Sequence, residues 1–89
     1  IVRDMNHRVT FWNRSAEQLY GWTADEAMGR STHEMLYDDP SLCIKASEIA
    51  LTKGEWTGEA EQITKDRRTL IVECRLTLIR DADGNPKSY

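Results

Sequence analysis

The sequence predicts an α+β fold, in which an antiparallel sheet carries short helices gathered on one side. Strand-like segments open and close the chain of 89 residues, and helix-like segments lie between them. Most of the helix-like segments are short and end at a glycine, as in connections that run over a sheet and not in a bundle. Residues 70–79 alternate between apolar and polar side chains, which indicates a strand with one buried face. Strands that flank a run of helices are typical of the α+β class.

The composition fits one small globular domain. Apolar residues make up 39% of the chain and charged residues 30%, with a net charge of −3. This charge argues against a nucleic-acid surface, because phosphate binding requires a clustered basic face. No apolar run approaches the roughly 20 residues that cross a bilayer, and no signal-peptide pattern opens the chain. We therefore predict a cytoplasmic setting, without nucleic acid and without membrane contact by this segment.

The two cysteines give no sign of a metal site. Cys43 and Cys74 lie far apart, and the chain has no CxxC pair that would indicate structural zinc. We predict that both are free thiols that pack as small hydrophobic side chains.

The first hairpin is predicted from residues 1–3 and 9–12, with a turn between them. Asn6 and His7 occupy the place where a two-residue turn needs positive φ, and both residue types tolerate that conformation. We predict that His7 is an exposed turn residue and not a ligand.

Two short helices follow the hairpin. Asn13 is predicted to cap a helix that begins at Arg14 and ends at Gly21. Its apolar stripe is predicted to consist of Ala16, Leu19 and Tyr20. Thr23 and Glu26 have the spacing of a capping box for the second helix, which Gly29 ends.

A longer helix and two long strands complete the prediction. After one helical turn at about 33–36, Pro40 and Ser41 begin a helix that runs to about Thr52. Its inner stripe is predicted to be Leu42, Ala46, Ile49 and Ala50, with Cys43 at the margin. Residues 56–64 and 70–79 are predicted strands, joined by the turn "KDRR" at 65–68. The second strand is predicted to bury Leu70, Val72, Cys74, Leu76 and Leu78. Gly84 supplies a turn before a final strand at 86–89.

The chain resembles the PAS family of sensory domains over essentially its whole length. The resemblance lies in "RDMNHRVTFWNRSAEQLYGWTADEAMGR", "GEWTGEAEQITKDRR" and "VECRLTLIRDADGNPKSY", which follow one another in the family's order. It implies a five-stranded antiparallel sheet of order 2-1-5-4-3 with the helices around a small cavity, and here the first and last strands are cut short. Residues 1–89 are thus expected to be a single PAS domain, a fragment of a longer multidomain signalling protein. The positions with a structural role would be Asn13, Gly21, Gly29 and Gly84. Arg67 departs from the family, which often has glycine at that place in the turn.

The resemblance also implies a function. The chain most resembles the PAS modules of bacterial sensor histidine kinases. It is therefore expected to be a non-catalytic sensory or regulatory module in a two-component system. Such a module couples the state of a ligand or partner to an attached kinase or other output domain, and it is expected to form a homodimer through its sheet or flanking helices. The alternative is a ligand-free module for dimerisation or protein interaction, with Ile71, Ile79 and part of Trp56 as its patch. A small hydrolase or transferase is a third reading.

Alignment with the family places a set of side chains around the cavity. These candidate ligand-binding residues are Gly58, Ala60 and Gln62 on one strand, Val72, Cys74 and Leu76 on the next, and Ala46, Ile49 and Ala50 on the long helix. The amide of Gln62 could orient a ligand by donating and accepting hydrogen bonds. The competing interpretation is that these side chains simply fill a core.

Cofactor and catalytic signatures are largely missing from the sequence. Resemblance to the flavin-binding light–oxygen–voltage domains would require a cysteine soon after Gly29, where Thr32 and its neighbours stand. Haem-binding members use a histidine from the long helix, and residues 40–53 contain none. A small organic ligand, non-covalent flavin or no cofactor are the alternatives that stay open. No nucleophile stands beside a plausible base and no glycine loop could cradle phosphate, so we predict no catalytic or metal residues.

Overall fold

A computed structural model describes all 89 residues. It contains six strands and four helices. In chain order they are β1 (Val2–Arg3), β2 (Val9–Phe11), α1 (Arg14–Tyr20), α2 (Ala24–Ala27), α3 (Thr32–Met35), α4 (Ser41–Lys53), β3 (Glu55–Ile63), β4 (Thr69–Thr77), β5 (Ile79–Arg80) and β6 (Pro86–Ser88). None of the helices has the length and hydrophobicity that a membrane span requires.

All the strand pairs are antiparallel. β1 pairs with β2, β3 pairs with β4, and β5 pairs with β6. The β3–β4 ladder is the longest, running from the pair Glu55–Thr77 to the pair Ile63–Thr69. Two backbone hydrogen bonds of 2.9 and 2.8 Å join Arg3 in β1 to Tyr89 after β6. The ladders form three two-stranded sheets. A continuous five-stranded sheet with the family's strand order, 2-1-5-4-3 in the family's own count of strands, stays a prediction.

The first hairpin forms through local hydrogen bonds at its turn. The carboxylate of Asp4 accepts from the backbone N–H groups of Asn6 and Arg8, at 2.9 and 3.0 Å. His7 adopts the predicted positive φ, at 62°. It is half-buried and not exposed as predicted, because its ring stacks on other aromatic rings described below.

The predicted helix caps are present. The side chain of Asn13 accepts from the N–H of Ala16 at 2.9 Å, and Gly21 ends α1 with φ 81°. A cap of this kind contributes about 1 kcal/mol to stability. Thr23 and Glu26 form both halves of a capping box on α2. The predicted stripe of α1 is wrong at Leu19, whose side chain is 47% exposed.

The buried face of α4 differs from the predicted one. Its buried residues are Cys43, Ala46, Ser47 and Ala50. Leu42 is 44% exposed and Ile49 only half-buried, so the stripe is rotated toward the smaller side chains. Small residues allow α4 to lie close to β3, and the Ser47 hydroxyl is satisfied by donating to the Cys43 carbonyl at 2.8 Å.

The turn between β3 and β4 closes without glycine. Arg67 itself takes a left-handed conformation, with φ 66°. The N–H of Thr64 donates to the Arg68 carbonyl at 2.9 Å, and the N–H of Arg67 donates to the Thr64 carbonyl at 3.0 Å. An arginine in this backbone conformation lowers the free energy of unfolding by roughly 1–2 kcal/mol relative to glycine.

Two hydrophobic clusters lie between the helices and the strands. The larger consists of Val9, Trp12, Ala16, Tyr20, Ala27, Met35, Leu36, Tyr37, Cys43 and Ala60. The indole N–H of Trp12 donates to the Trp22 carbonyl at 2.9 Å, which satisfies the polar atom of a buried ring. The smaller cluster consists of Ala50, Leu78 and Tyr89. The candidate site lies among the side chains of β1, α3, α4, β3 and β4.

Candidate functional site

A partly open cavity of about 360 Å³ is present in the structure. Nineteen residues line it, of which fourteen are hydrophobic. Sites for small organic molecules have this size and this character: an apolar wall with a few polar groups that fix orientation. The polar groups here include Gln62 of β3, Arg3 of β1 and the hydroxyl of Tyr37.

Five of the nine predicted ligand-binding residues line this cavity. They are Gln62, Ala60, Cys74, Leu76 and Ala46. The other four, Gly58, Val72, Ile49 and Ala50, are not among the lining residues. Val72 packs against the larger cluster and Ala50 belongs to the smaller one. Gly58 lies under the ring of Trp56, where a Cβ would come within 2.7 Å of Cζ2.

The Gln62 amide is held between two tyrosines. Its Oε1 accepts from the Tyr20 hydroxyl at 2.5 Å, and its Nε2 donates to the Tyr37 hydroxyl oxygen at 2.9 Å. Burial raises the pKa of Tyr20 to about 12 and raises the pKa of Tyr37, so both phenols are protonated at neutral pH. Since Tyr37 accepts from Gln62, its own proton is available to another acceptor. The sequence singled out Gln62 but not Tyr37, which stands in a segment without clear periodicity.

Arg3 is a second polar residue of the cavity wall that the sequence did not single out. Only 8% of it is exposed. Its Nη1 donates to Thr32 Oγ1 at 2.6 Å, its Nη2 donates to Ser47 Oγ at 3.4 Å, and its Nε has no partner. None of the four ion pairs involves it. Burial lowers the pKa of its guanidinium. Its place in a short opening strand gave no sign of burial, because charged residues are usually exposed.

Two histidines stack beside Arg3. The rings of His7 and His33 are 4.2 Å apart, and those of His7 and Tyr89 are 5.0 Å apart. Burial lowers the pKa of His7 to about 4, with smaller contributions from His33 and Arg3. The pKa of His33 is lowered for the same reasons, burial first and Arg3 second. No three histidine, cysteine, aspartate or glutamate residues are grouped as metal ligands.

The low pKa of His7 predicts a loss of stability in mild acid. Unfolded His7 binds a proton near pH 6.5 and folded His7 only near pH 4, so its contribution is complete above pH 6.5 and declines as the pH falls toward 4. Between pH 7 and pH 5 we expect a loss of about 1 kcal/mol, after allowance for solvent screening of a half-buried ring. Urea unfolding at the two pH values measures it.

The matched control for this prediction is His7→Asn, because asparagine also tolerates positive φ. The variant should lose less stability between pH 7 and pH 5 than the wild type does. An identical loss in both proteins would assign the effect to other groups.

The two thiols of the cavity wall are neutral. Both cysteines are free, as predicted. Burial raises the pKa of Cys43 to about 11 and raises the pKa of Cys74. The hydroxyl of Thr32, another residue of the cavity wall, accepts from Arg3.

The predicted interaction patch is not one surface. Trp56 lies on the same face of β3 as Ala60 and Gln62, and it lines the cavity. Ile71 lies on the opposite, exposed face of β4, where 72% of it is accessible, and Ile79 in β5 is 43% exposed. Ile79 also lines the cavity, so Trp56 and Ile79 lie apart from Ile71.

Solved structures share this fold. The PAS domain of a protein from Colwellia psychrerythraea aligns with a TM-score of 0.89 at 24% identity, over 99% of this chain and 76% of that one. The dark structure of the blue-light photoreceptor Aureochrome1 LOV aligns with a TM-score of 0.82 at 22% identity, over 99% of this chain and 67% of that one. An RNA-binding light–oxygen–voltage receptor aligns with a TM-score of 0.82 at 23% identity, over 99% of this chain and 26% of that one. The predicted α+β fold of PAS type is confirmed.

Sequence comparison agrees with the fold. Adagio protein 3 of Arabidopsis thaliana is 34% identical over 87 residues, which is 85% of this chain but 14% of that protein. The family model described as the PAS fold matches residues 1–89. PAS domains are sensory modules and are generally not catalytic themselves. The chain belongs to the PAS family.

Proposed function

We propose that this PAS domain binds a small organic ligand in its cavity and couples its occupancy to an attached output domain. The observation that carries the proposal is the cavity itself, with about 360 Å³ of space and a mainly apolar wall. Buried polar groups converge on it from separate elements: Gln62 from β3, Arg3 from β1, and Tyr37 from the segment after α3. A partly open, mainly apolar cavity with a few polar groups is the kind of site that binds small organic molecules.

The ligand-binding residues of the proposal are those of the cavity wall. The predicted residues that would contact the ligand are Gln62, Ala60, Cys74, Leu76 and Ala46. Three further lining residues would also contact it: Arg3, Tyr20 and Tyr37. The other four predicted residues would not contact the ligand and would only pack against the residues of the wall; they are Gly58, Val72, Ile49 and Ala50. The small side chains of Ala46 and Ala60 provide the room.

Arg3 offers a route by which occupancy could reach the rest of the protein. Its backbone pairs with Tyr89, while its side chain donates to Thr32 in α3 and to Ser47 in α4. A ligand that draws the guanidinium away from one of these hydroxyls would change how β1 sits against the helices. The two arrangements would form the two states that a sensor requires.

The wider setting is also a proposal. We place the domain in a longer multidomain signalling protein, as the cytoplasmic sensor module of a bacterial histidine kinase in a two-component system. Its resemblance to the PAS modules of such kinases supports this, and the kinase domain would supply the enzymatic activity. The cofactor would be a small organic ligand. Thr32 in place of a photoactive cysteine argues against covalent flavin, and a cavity wall without histidine argues against haem.

Retention of a ligand tests the proposal. Native mass spectrometry and an absorption spectrum of the purified chain should reveal a bound molecule, which Ala60→Leu should remove by filling the cavity. The matched control is Ala82→Leu, the same change in the exposed turn at 81–85, which should retain the molecule. Equal retention in both variants would place the ligand elsewhere.

The second candidate is a ligand-free dimerisation or interaction module. The exposure of Ile71 on the outer face of β4, together with that of Ile79 in β5, favours it, because large apolar side chains at the surface suit a partner. A homodimer through this face or through flanking helices also fits the sensor proposal. A chain that retains no molecule and dimerises with rising concentration would favour this candidate over the sensor.

A further inference from the structure

Arg3 carries a buried charge without a counter-ion. Only 8% of the residue is exposed to solvent. No carboxylate forms an ion pair with its guanidinium. An unpaired charge inside a protein is costly, and buried arginines are normally paired with an acid. The presence of an unpaired arginine in the cavity wall therefore requires an explanation.

The neighbouring groups orient the guanidinium without neutralising it. The Thr32 hydroxyl donates onward to the His7 carbonyl at 3.3 Å, and the Ser47 hydroxyl donates to the Cys43 carbonyl, so both oxygens can only accept from Arg3. The ring of Tyr89 lies 5.5 Å from the guanidinium carbon, which gives a modest cation–π attraction. Two of the five guanidinium N–H donors are thus used, and three are left, among them Nε.

None of the groups whose charge acts on Arg3 is a carboxylate. The acidic groups that act on it are the phenols of Tyr37 and Tyr89 and the thiols of Cys43 and Cys74. Burial raises the pKa of each of them, so all four are protonated and neutral. His7 and His33 are neutral as well, since their pKa values are lowered. Arg75, the other cation of the cavity wall, is exposed and pairs with Glu55 at 2.8 Å, so Arg3 is the buried charge that nothing balances.

We propose that the cavity binds an organic acid, whose carboxylate is held by the Arg3 guanidinium while its apolar body lies against the hydrophobic wall. This inference rests on the proposed function and names the class of ligand. A guanidinium binds carboxylates through charge-assisted, often bidentate hydrogen bonds. A phosphate dianion would leave an excess negative charge beside Arg3, so one unpaired cation in an apolar wall favours a monocarboxylate.

The test compares acids with neutral molecules of the same shape. The purified chain is titrated by calorimetry with benzoate, phenylacetate and 4-phenylbutyrate, each paired with its own amide. At least one acid should bind about tenfold or more tightly than its amide. Arg3→Met should remove this preference, lowering the affinity for that acid far more than the affinity for the amide.

Arg3→Lys and the ligand-free proteins provide the controls. Arg3→Lys keeps the charge but not the bidentate geometry, so it should keep part of the preference. Without ligand, Arg3→Met should melt at a temperature no lower than the wild type, because replacing an unpaired buried charge by an apolar side chain is neutral or stabilising. If Arg3→Met failed to fold, the wild type and Arg3→Lys would still decide between acid and amide.

The outcomes separate this inference from the proposed function. Equal binding of acids and amides would overturn the carboxylate ligand and leave the sensory cavity standing. An Arg3→Met variant that keeps the preference for the acid would also overturn it. A folded wild type that binds no acid and no amide, and retains no molecule on purification, would overturn both.

Discussion

Replacing Gln62 by leucine should lower the free energy of unfolding by about 2–4 kcal/mol. The amide bonds to the hydroxyls of Tyr20 and Tyr37 in a buried setting. Leucine would leave both hydroxyls without their partner, and an unsatisfied buried polar group costs far more than a hydrogen bond contributes. Urea unfolding followed by circular dichroism measures the loss.

The triple variant Tyr20→Phe, Gln62→Leu, Tyr37→Phe is the matched control. It removes all three polar groups together, so it should regain most of the stability that Gln62→Leu loses. A triple variant as unstable as the single one would show that packing volume, and not hydrogen bonding, governs this site. If Gln62→Leu retained the same ligand as the wild type, Gln62 would have no part in binding it.

Replacing Trp12 by alanine should cost about 3–5 kcal/mol, the usual range for a buried tryptophan. Trp12 is buried, its ring centroid lies 5.6 Å from that of Tyr20, and its indole N–H donates to the Trp22 carbonyl. Small domains have only about 5–15 kcal/mol of stability. The variant should therefore lose a large share of its stability, which urea unfolding of the variant and the wild type measures.

Trp56→Ala serves as the comparison for Trp12→Ala. Trp56 is half-buried at the cavity wall, so its removal should destabilise the fold less. A greater loss from Trp56→Ala would mean that the cavity wall, and not the cluster around Trp12, is the main support of the fold.

Local signals in the sequence predicted the elements of this fold well. The Asn13 cap, the capping box of Thr23 and Glu26, and the turn at Gly84 depend on a few neighbouring residues. The alternation along β4 is equally local, because successive side chains of a strand must point to opposite faces. Such features can be predicted without knowledge of the rest of the chain.

Features that depend on distant contacts were predicted less well. The buried face of α4 was misjudged at Leu42 because hydropathy favours leucine, whereas the approach of α4 to β3 favours Ala46 and Ser47. Nothing near Arg3 in the sequence indicates that Thr32 and Ser47 would receive its side chain. These contacts join residues 29 and 44 positions apart, which no local pattern reports.

The candidate site reflects the same division. The resemblance to the PAS family implied that Ala60, Gln62, Cys74 and Leu76 face the cavity, and they line it. The same resemblance implied Gly58 and Val72, which are not among the lining residues. Periodicity tells which way a side chain points, but the position of a cavity along a strand is set by the helices above it.

The close contact of Trp56 with Gly58 gives the protein a built-in optical probe. The indole rests on a position without a side chain, beside the space that a ligand would fill. Of the other two tryptophans, Trp12 belongs to the larger cluster and Trp22 packs against it, and neither lines that space. A change in intrinsic fluorescence on titration would therefore originate mainly at the cavity, and the filling of this domain could be followed without any label.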